Sequence, residues 1–154
     1  MMTTSYESEL EHSGRITITI KGVSMRPLFH SDTDAIIVKK CEPDTLKNLD
    51  IVLFKRQSTN GMQYVLHRIV GKNTDGSFII AGDNCTAADI VKPKDILGVA
   101  ITAKRKNKTI KLDGVRYVLY KKLWCSPYKF RLFVLRFRQK IHSVTRRLVL
   151  HRRK

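Results

Sequence analysis

The chain has 154 residues, 30 Lys+Arg and 13 Asp+Glu, for a formal net charge of +17. That length predicts one domain able to bury a core, and 42% hydrophobic residues exclude wholesale disorder. The charge is polarised: residues 1–103 carry 12 basic and 12 acidic side chains, whereas residues 104–154 carry 18 basic side chains and a single acid, Asp113.

Residues 1–13 read as a loose N-terminal arm or a short first helix. Arg15–Lys21 follows, in which Ile16, Ile18 and Ile20 alternate with Thr17 and Thr19. Period-2 alternation predicts a half-buried strand. Ala35–Lys39 and Asp50–Lys55 are two further β runs. Gln63–Val70 follows the turn dipeptide Asn60-Gly61, and Ser77–Ala81 follows Asp75-Gly76, so 63–81 reads as a hairpin. Asp95–Lys104 predicts another strand. Thr109–Leu112 predicts one more, paired across the basic turn Lys104–Lys108. Strands at this spacing predict a mainly β fold, mostly antiparallel.

Beyond residue 112 the pattern changes. Val115–Trp124 predicts a short helix broken near Ser126-Pro127. From Phe130, apolar residues fall at 130, 133, 134, 137, 141, 144 and 148, a helical period. Arg131, Arg136, Arg138, Lys140, Arg146 and Arg147 are expected to project away from that stripe, with Leu132, Leu135 and Leu150 also off it. The expected organisation is an N-terminal arm (1–13), a β domain (14–111) and a basic amphipathic helical tail (112–154).

Three segments of the β domain carry groups capable of chemistry. Ser24 sits in Gly22-Val23-Ser24-Met25-Arg26-Pro27, just past the first strand. A serine on such a turn can hold its hydroxyl clear of the chain, but it attacks acyl groups only when a base takes its proton. An isolated serine there is more often a turn residue that caps its own backbone. His67 lies in Tyr64–Val70, an apolar strand. An ordinary imidazole pKa near 6.5 suits it to act as a base at neutral pH. Asp83 and Asp89 lie six residues apart in Ala81–Asp89. Either could orient the histidine and support its charged form.

Together these segments resemble the type I signal peptidase and SOS-repressor group of serine peptidases, over about residues 14–105. The resemblance rests on Ser24–Pro27 (SMRP), on His67–Val70 (HRIV) after Asp50–Phe54 (DIVLF), and on Gly82–Asn84 (GDN), in that order. It implies a coiled, mainly antiparallel β fold and a serine endopeptidase with Ser24 as nucleophile. A histidine at 67, where most bacterial signal peptidases and the SOS repressors have lysine, places the chain nearest the endoplasmic-reticulum and archaeal branch. In that branch an aspartate six residues beyond the GDN aspartate acts with the histidine. Asp89 is thereby implied as the third member and Asp83 as a supporting carboxylate. Gly22 stands where many signal peptidases have a serine that assists the oxyanion.

The implied substrate is a peptide precursor or leader, bound as an extended strand along an exposed sheet edge. A non-catalytic peptide- or membrane-binding module on the same fold is the alternative. No cofactor or metal is expected, because the three cysteines Cys41, Cys85 and Cys125 lack zinc-site spacing. Three readings of the basic tail compete: an anchor to an anionic membrane surface, a nucleic-acid binder, and a helix packed on the β body with a solvated basic face. No run of about 18 uncharged apolar residues predicts a spanning helix. The N-terminus lacks the basic start and apolar run of a secretory signal. The expected location is cytoplasmic, peripheral at the membrane.

Overall fold

The computed structural model describes residues 6–59 and 61–151. The side chains of Val144, Arg146, Arg147, Leu148 and Leu150 lie outside the described residues, as do positions 1–5 of the expected arm. Among those described, the chain is mainly β, with an eight-stranded antiparallel sheet and three α-helices.

The strands are β1 (Arg15–Thr19), β2 (Asp34–Lys40), β3 (Ile51–Ser58), β4 (Gly61–Lys72), β5 (Phe78–Ala81), β6 (Asp89–Val91), β7 (Ile96–Arg105) and β8 (Lys108–Lys111). Their order is β1-β2-β7-β3-β4-β5-β6, with β8 also on β7. Seven of them fall on the strand runs expected from the sequence. β6 was not anticipated, because three residues are too short to show an alternation.

β3 is central to the packing. Ile51 and Leu53 point into one core with Ile16, Ile36, Val38 and Leu66. Val52 and Phe54 point into a second core with Ile69, Phe78 and Ile80. A strand covered on both faces reads as a continuous apolar run, which is why DIVLF lacks clean alternation. Register shifts at Ile37/Val38, Leu53/Phe54 and Ile69/Gly71 bend the sheet so that both cores close. At Gly98 a Cβ would come within 2.5 Å of the Lys39 carbonyl oxygen, so β2 and β7 can approach only with glycine there.

The N-terminal segment is docked. Helix α1 (Tyr6–Ser13) buries Leu10 in the first core. Its Glu7 accepts hydrogen bonds from Lys55 at 2.8 Å and from Tyr64 at 3.1 Å. Of the two expectations for this arm, the described part takes the helical one.

The basic C-terminal segment forms α2 (Val115–Tyr120), a π-helical turn at Lys121–Cys125 and α3 (Tyr128–His151). α3 starts just after Pro127, whose ring cannot continue a preceding helix but suits the start of a new one. Tyr117, Cys125, Arg131 and Leu135 are buried on the β body, so packing continues across the expected boundary at 111/112. One expectation is met in direction but not in surroundings. Arg131 does project away from the Phe130–Ile141 stripe, but into the protein, where it is 0% exposed. Helical period identifies faces; it does not say which face has a buried carboxylate opposite it.

Candidate active site

Ser24 is placed by its neighbours. Met25 and Phe29 are fully buried in the first core and pin the turn from below. The Phe29 amide donates to the Met25 carbonyl at 3.0 Å, and the Arg26 amide to that of Val23 at 3.2 Å. Ser24 itself stays half-buried at the surface of the turn. Neither its hydroxyl nor its amide hydrogen-bonds to another of the described residues.

The Gly82–Asn84 segment closes on that turn. The Asn84 amide donates to the Ser24 carbonyl at 2.7 Å, and the Asn84 side chain to the Val23 carbonyl at 3.2 Å. Two motifs 60 residues apart in the sequence are therefore joined by direct hydrogen bonds. Gly82 lies at the join. A Cβ on it would sit 2.7 Å from the Ser24 carbonyl oxygen, 2.8 Å from Cys85 Sγ and 3.0 Å from His67 Nε2. The imidazole Nε2 and the Ser24 backbone thus flank one point, which only a glycine leaves open.

His67 enters from β4, opposite Val52 on β3. Its ring centroid is 6.2 Å from that of Phe54, in a tilted arrangement. Nδ1 points the other way from the serine turn: it lies 3.8 Å from Asp89 Oδ2, and no group hydrogen-bonds to it. Asp89, the first residue of β6, accepts a 2.7 Å hydrogen bond from Arg56 Nη1. Burial lowers the His67 pKa below its ordinary 6.5; Asp89 opposes that, and Arg56 adds to it. The imidazole is therefore neutral at pH 7 and able to accept a proton.

Asp83 has a different environment. Its carboxylate is fully buried and accepts two hydrogen bonds from Arg68, each 2.7 Å. It also accepts one from Tyr120 at 2.9 Å and one from Arg131 at 3.2 Å. The Trp124 indole donates to its carbonyl at 3.2 Å. Arg68 further donates to the Tyr117 hydroxyl and the Leu49 carbonyl, both at 2.8 Å. Of the residues expected at the site, Ser24 and His67 line one cleft and approach the same point at Gly82, and Asp89 lies 3.8 Å from His67 Nδ1. Asp83 spends its acceptors on the two arginines and Tyr120 rather than on His67. Its link to the site is through the backbone of its own loop.

The site opens into a cleft of about 510 Å3, lined by Ile18–Lys21, Ser24, Arg56, Tyr64, His67 and Cys85. β1 ends the sheet with no described strand on its outer edge, and its last two residues, Ile18 and Thr19, line this cleft. Cys85 is the second nucleophilic side chain here, but burial raises its pKa, so at neutral pH it is a thiol. A larger cavity of about 680 Å3, between β8 and α2, contains none of these residues. Among the described residues, no three His, Cys, Asp or Glu side chains cluster as metal ligands would.

Arg56 was not singled out from the sequence, and no part in the site was read there for Arg68, Gly82, Tyr120 or Arg131. Arg68 had a signal: a charged residue inside an apolar strand needs a buried partner. Arg131 had none, because its partner is 48 residues away.

Compared with known proteins, the chain matches no family model, no curated protein and no solved structure.

Proposed function

We propose that the chain is a serine endopeptidase of signal-peptidase type, with Ser24 as nucleophile and His67 as base. One observation carries this reading: the imidazole lies between the serine turn, on its Nε2 side, and a carboxylate, on its Nδ1 side, at the floor of an open cleft. A structural histidine in an apolar strand has no need of that order of neighbours. The residues also fall in motifs that resemble the Ser-His branch of the signal peptidase group, whose coiled β fold the bent antiparallel sheet is compatible with.

The mechanism follows from the positions. A peptide extends along the outer edge of β1 and places its scissile carbonyl over Ser24. His67 Nε2 takes the hydroxyl proton as Ser24 Oγ attacks, and the Ser24 amide donates to the developing oxyanion. The protonated imidazole gives its proton to the leaving amine. Water then enters, His67 takes a proton from it, and the acyl-enzyme is hydrolysed. Asp89 faces Nδ1 and stabilises the imidazolium. Shortening the 3.8 Å gap to a hydrogen bond accompanies substrate binding, as catalytic contacts commonly tighten in the complex. Gly22 supplies no hydroxyl to the oxyanion, and loss of one such donor costs about 3 kcal/mol of transition-state stabilisation. Slow or narrowly selective cleavage is the expected consequence.

A second reading has one observation in its favour. Asp89 is held by Arg56 at 2.7 Å, which leaves the histidine without a hydrogen-bonded orienting group. That arrangement suits a peptide-binding module that cleaves nothing. A fluorophosphonate probe separates the two. Labelling of the wild type and not of Ser24→Ala is the result expected of the peptidase. Failure to label the wild type across neutral and alkaline pH overturns it.

A further inference from the structure

α3 has two faces with different fates. It docks on the body through Arg131 and Leu135, which are 0% and 4% exposed. At about 100° per residue, Phe130, Phe133, Phe137 and Ile141 fall on another face. These four are 59%, 66%, 55% and 48% exposed. Phe133 and Phe137 stack on one another, with ring centroids 6.3 Å apart, rather than on the body. A helix that packed its aromatic stripe on the sheet would have accounted for these residues. This one buries an arginine instead and leaves the stripe outward.

An exposed aromatic row of this extent marks a surface that something else covers. Its flank indicates what. Lys129, Arg136 and Lys140 line one groove with Phe133 and Phe137, of about 460 Å3. The single acid in residues 104–154 is Asp113, well before this helix.

We propose that this face of α3 binds the surface of an anionic lipid bilayer. The phenylalanines and Ile141 enter the acyl boundary, and Lys129, Arg136 and Lys140 meet the lipid phosphates. The helix lies in the interface plane: no described helix is long and apolar enough to cross a membrane. Lipid accounts for the face better than nucleic acid does, because phosphate attraction needs only the cations and gives the outward aromatic row nothing apolar to enter. The inference does not depend on the peptidase reading.

The test uses the full chain with phosphatidylcholine–phosphatidylglycerol vesicles and with phosphatidylcholine vesicles alone. The wild type is expected to co-sediment with the anionic vesicles, less so as salt rises. Phe133→Ser with Phe137→Ser is expected to weaken that partition by more than about tenfold. Both side chains are exposed, and an unchanged melting curve verifies that the double variant is folded. Absence of wild-type binding, or equal binding of the variant, overturns the proposal. So does a short DNA duplex that binds both proteins alike when the vesicles bind neither, or a dimer that only the wild type forms.

Discussion

Arg131 Nη1 lies 3.2 Å from Asp83 Oδ1, and both side chains are wholly buried. Asp83 belongs to the loop whose next amide, that of Asn84, holds the Ser24 carbonyl, while Arg131 belongs to the first turn of α3. The helix with the outward aromatic row is thus tied through one carboxylate to the turn that carries the candidate nucleophile. Two guanidinium groups share that carboxylate, and Arg131 Nε and Nη2 have no hydrogen-bond partner among the described residues, although the guanidinium lies 5.1 Å from the centroid of the Tyr128 ring.

The sharing is unequal, which sets the first prediction. Asp83→Asn leaves two buried arginines uncompensated and is expected to cost about 3–5 kcal/mol of stability. Arg131→Met removes a buried charge that is only partly satisfied and leaves the two Arg68 hydrogen bonds in place. It is expected to cost far less, or to be neutral. Urea unfolding followed by circular dichroism measures both. Equal losses in the two variants would show that the arginines share Asp83 equally.

The His67 environment predicts the pH dependence. Burial holds its pKa below 6.5, so the base is competent at neutral pH and activity should fall only at more acidic pH. Arg56 lowers this pKa and Asp89 raises it. Arg56→Gln should therefore move the acid limb of the labelling rate to higher pH, and Asp89→Asn to lower pH. Stability has the same sign. A histidine with a folded-state pKa below its unfolded value contributes stability that is present above pH 6.5 and is lost as pH falls through the folded-state value. A shift to lower pH in Arg56→Gln, or to higher pH in Asp89→Asn, would contradict this assignment.

Gly82 should not tolerate a methyl group. In Gly82→Ala the Cβ would meet the Ser24 carbonyl oxygen at 2.7 Å and His67 Nε2 at 3.0 Å. Relief requires the serine turn or the imidazole to move, at a cost of about 1–3 kcal/mol in stability. Probe labelling should fall by more than about tenfold, since small displacements of reacting groups are expensive. A variant that labels at the wild-type rate would mean that the two groups do not act together.

Cys85 lines the same cleft, yet its raised pKa removes it from nucleophilic chemistry. Cys85→Ser should keep near wild-type labelling, whereas Ser24→Cys should lose fluorophosphonate reactivity. Time courses of probe incorporation compare them directly. Loss of labelling in Cys85→Ser with Ser24→Ala unaffected would transfer the nucleophile to the cysteine.

Local patterns in the sequence were enough for the strands with four or more residues, the hairpin at 63–81 and the helical C-terminal segment. Alternation and helical period are properties of neighbouring residues, and burial on one face enforces them. That the Ser24 turn, His67 and Asp89 lie near one another was implied by a resemblance of motifs, and a catalytic role for them is a proposal. Tertiary structure alone decided the rest. β6 is too short to announce itself, and it carries Asp89 to the histidine only because it pairs with β5. The inward face of α3 depends on a carboxylate in another loop, so Arg131 together with Leu135 became its anchor and the aromatic row was left outside. The +17 charge, legible from composition, says that residues 104–154 attract anions. Which of those cations remain available is a matter of burial, and burial removes Arg131 while leaving Lys129, Arg136 and Lys140 beside the exposed phenylalanines.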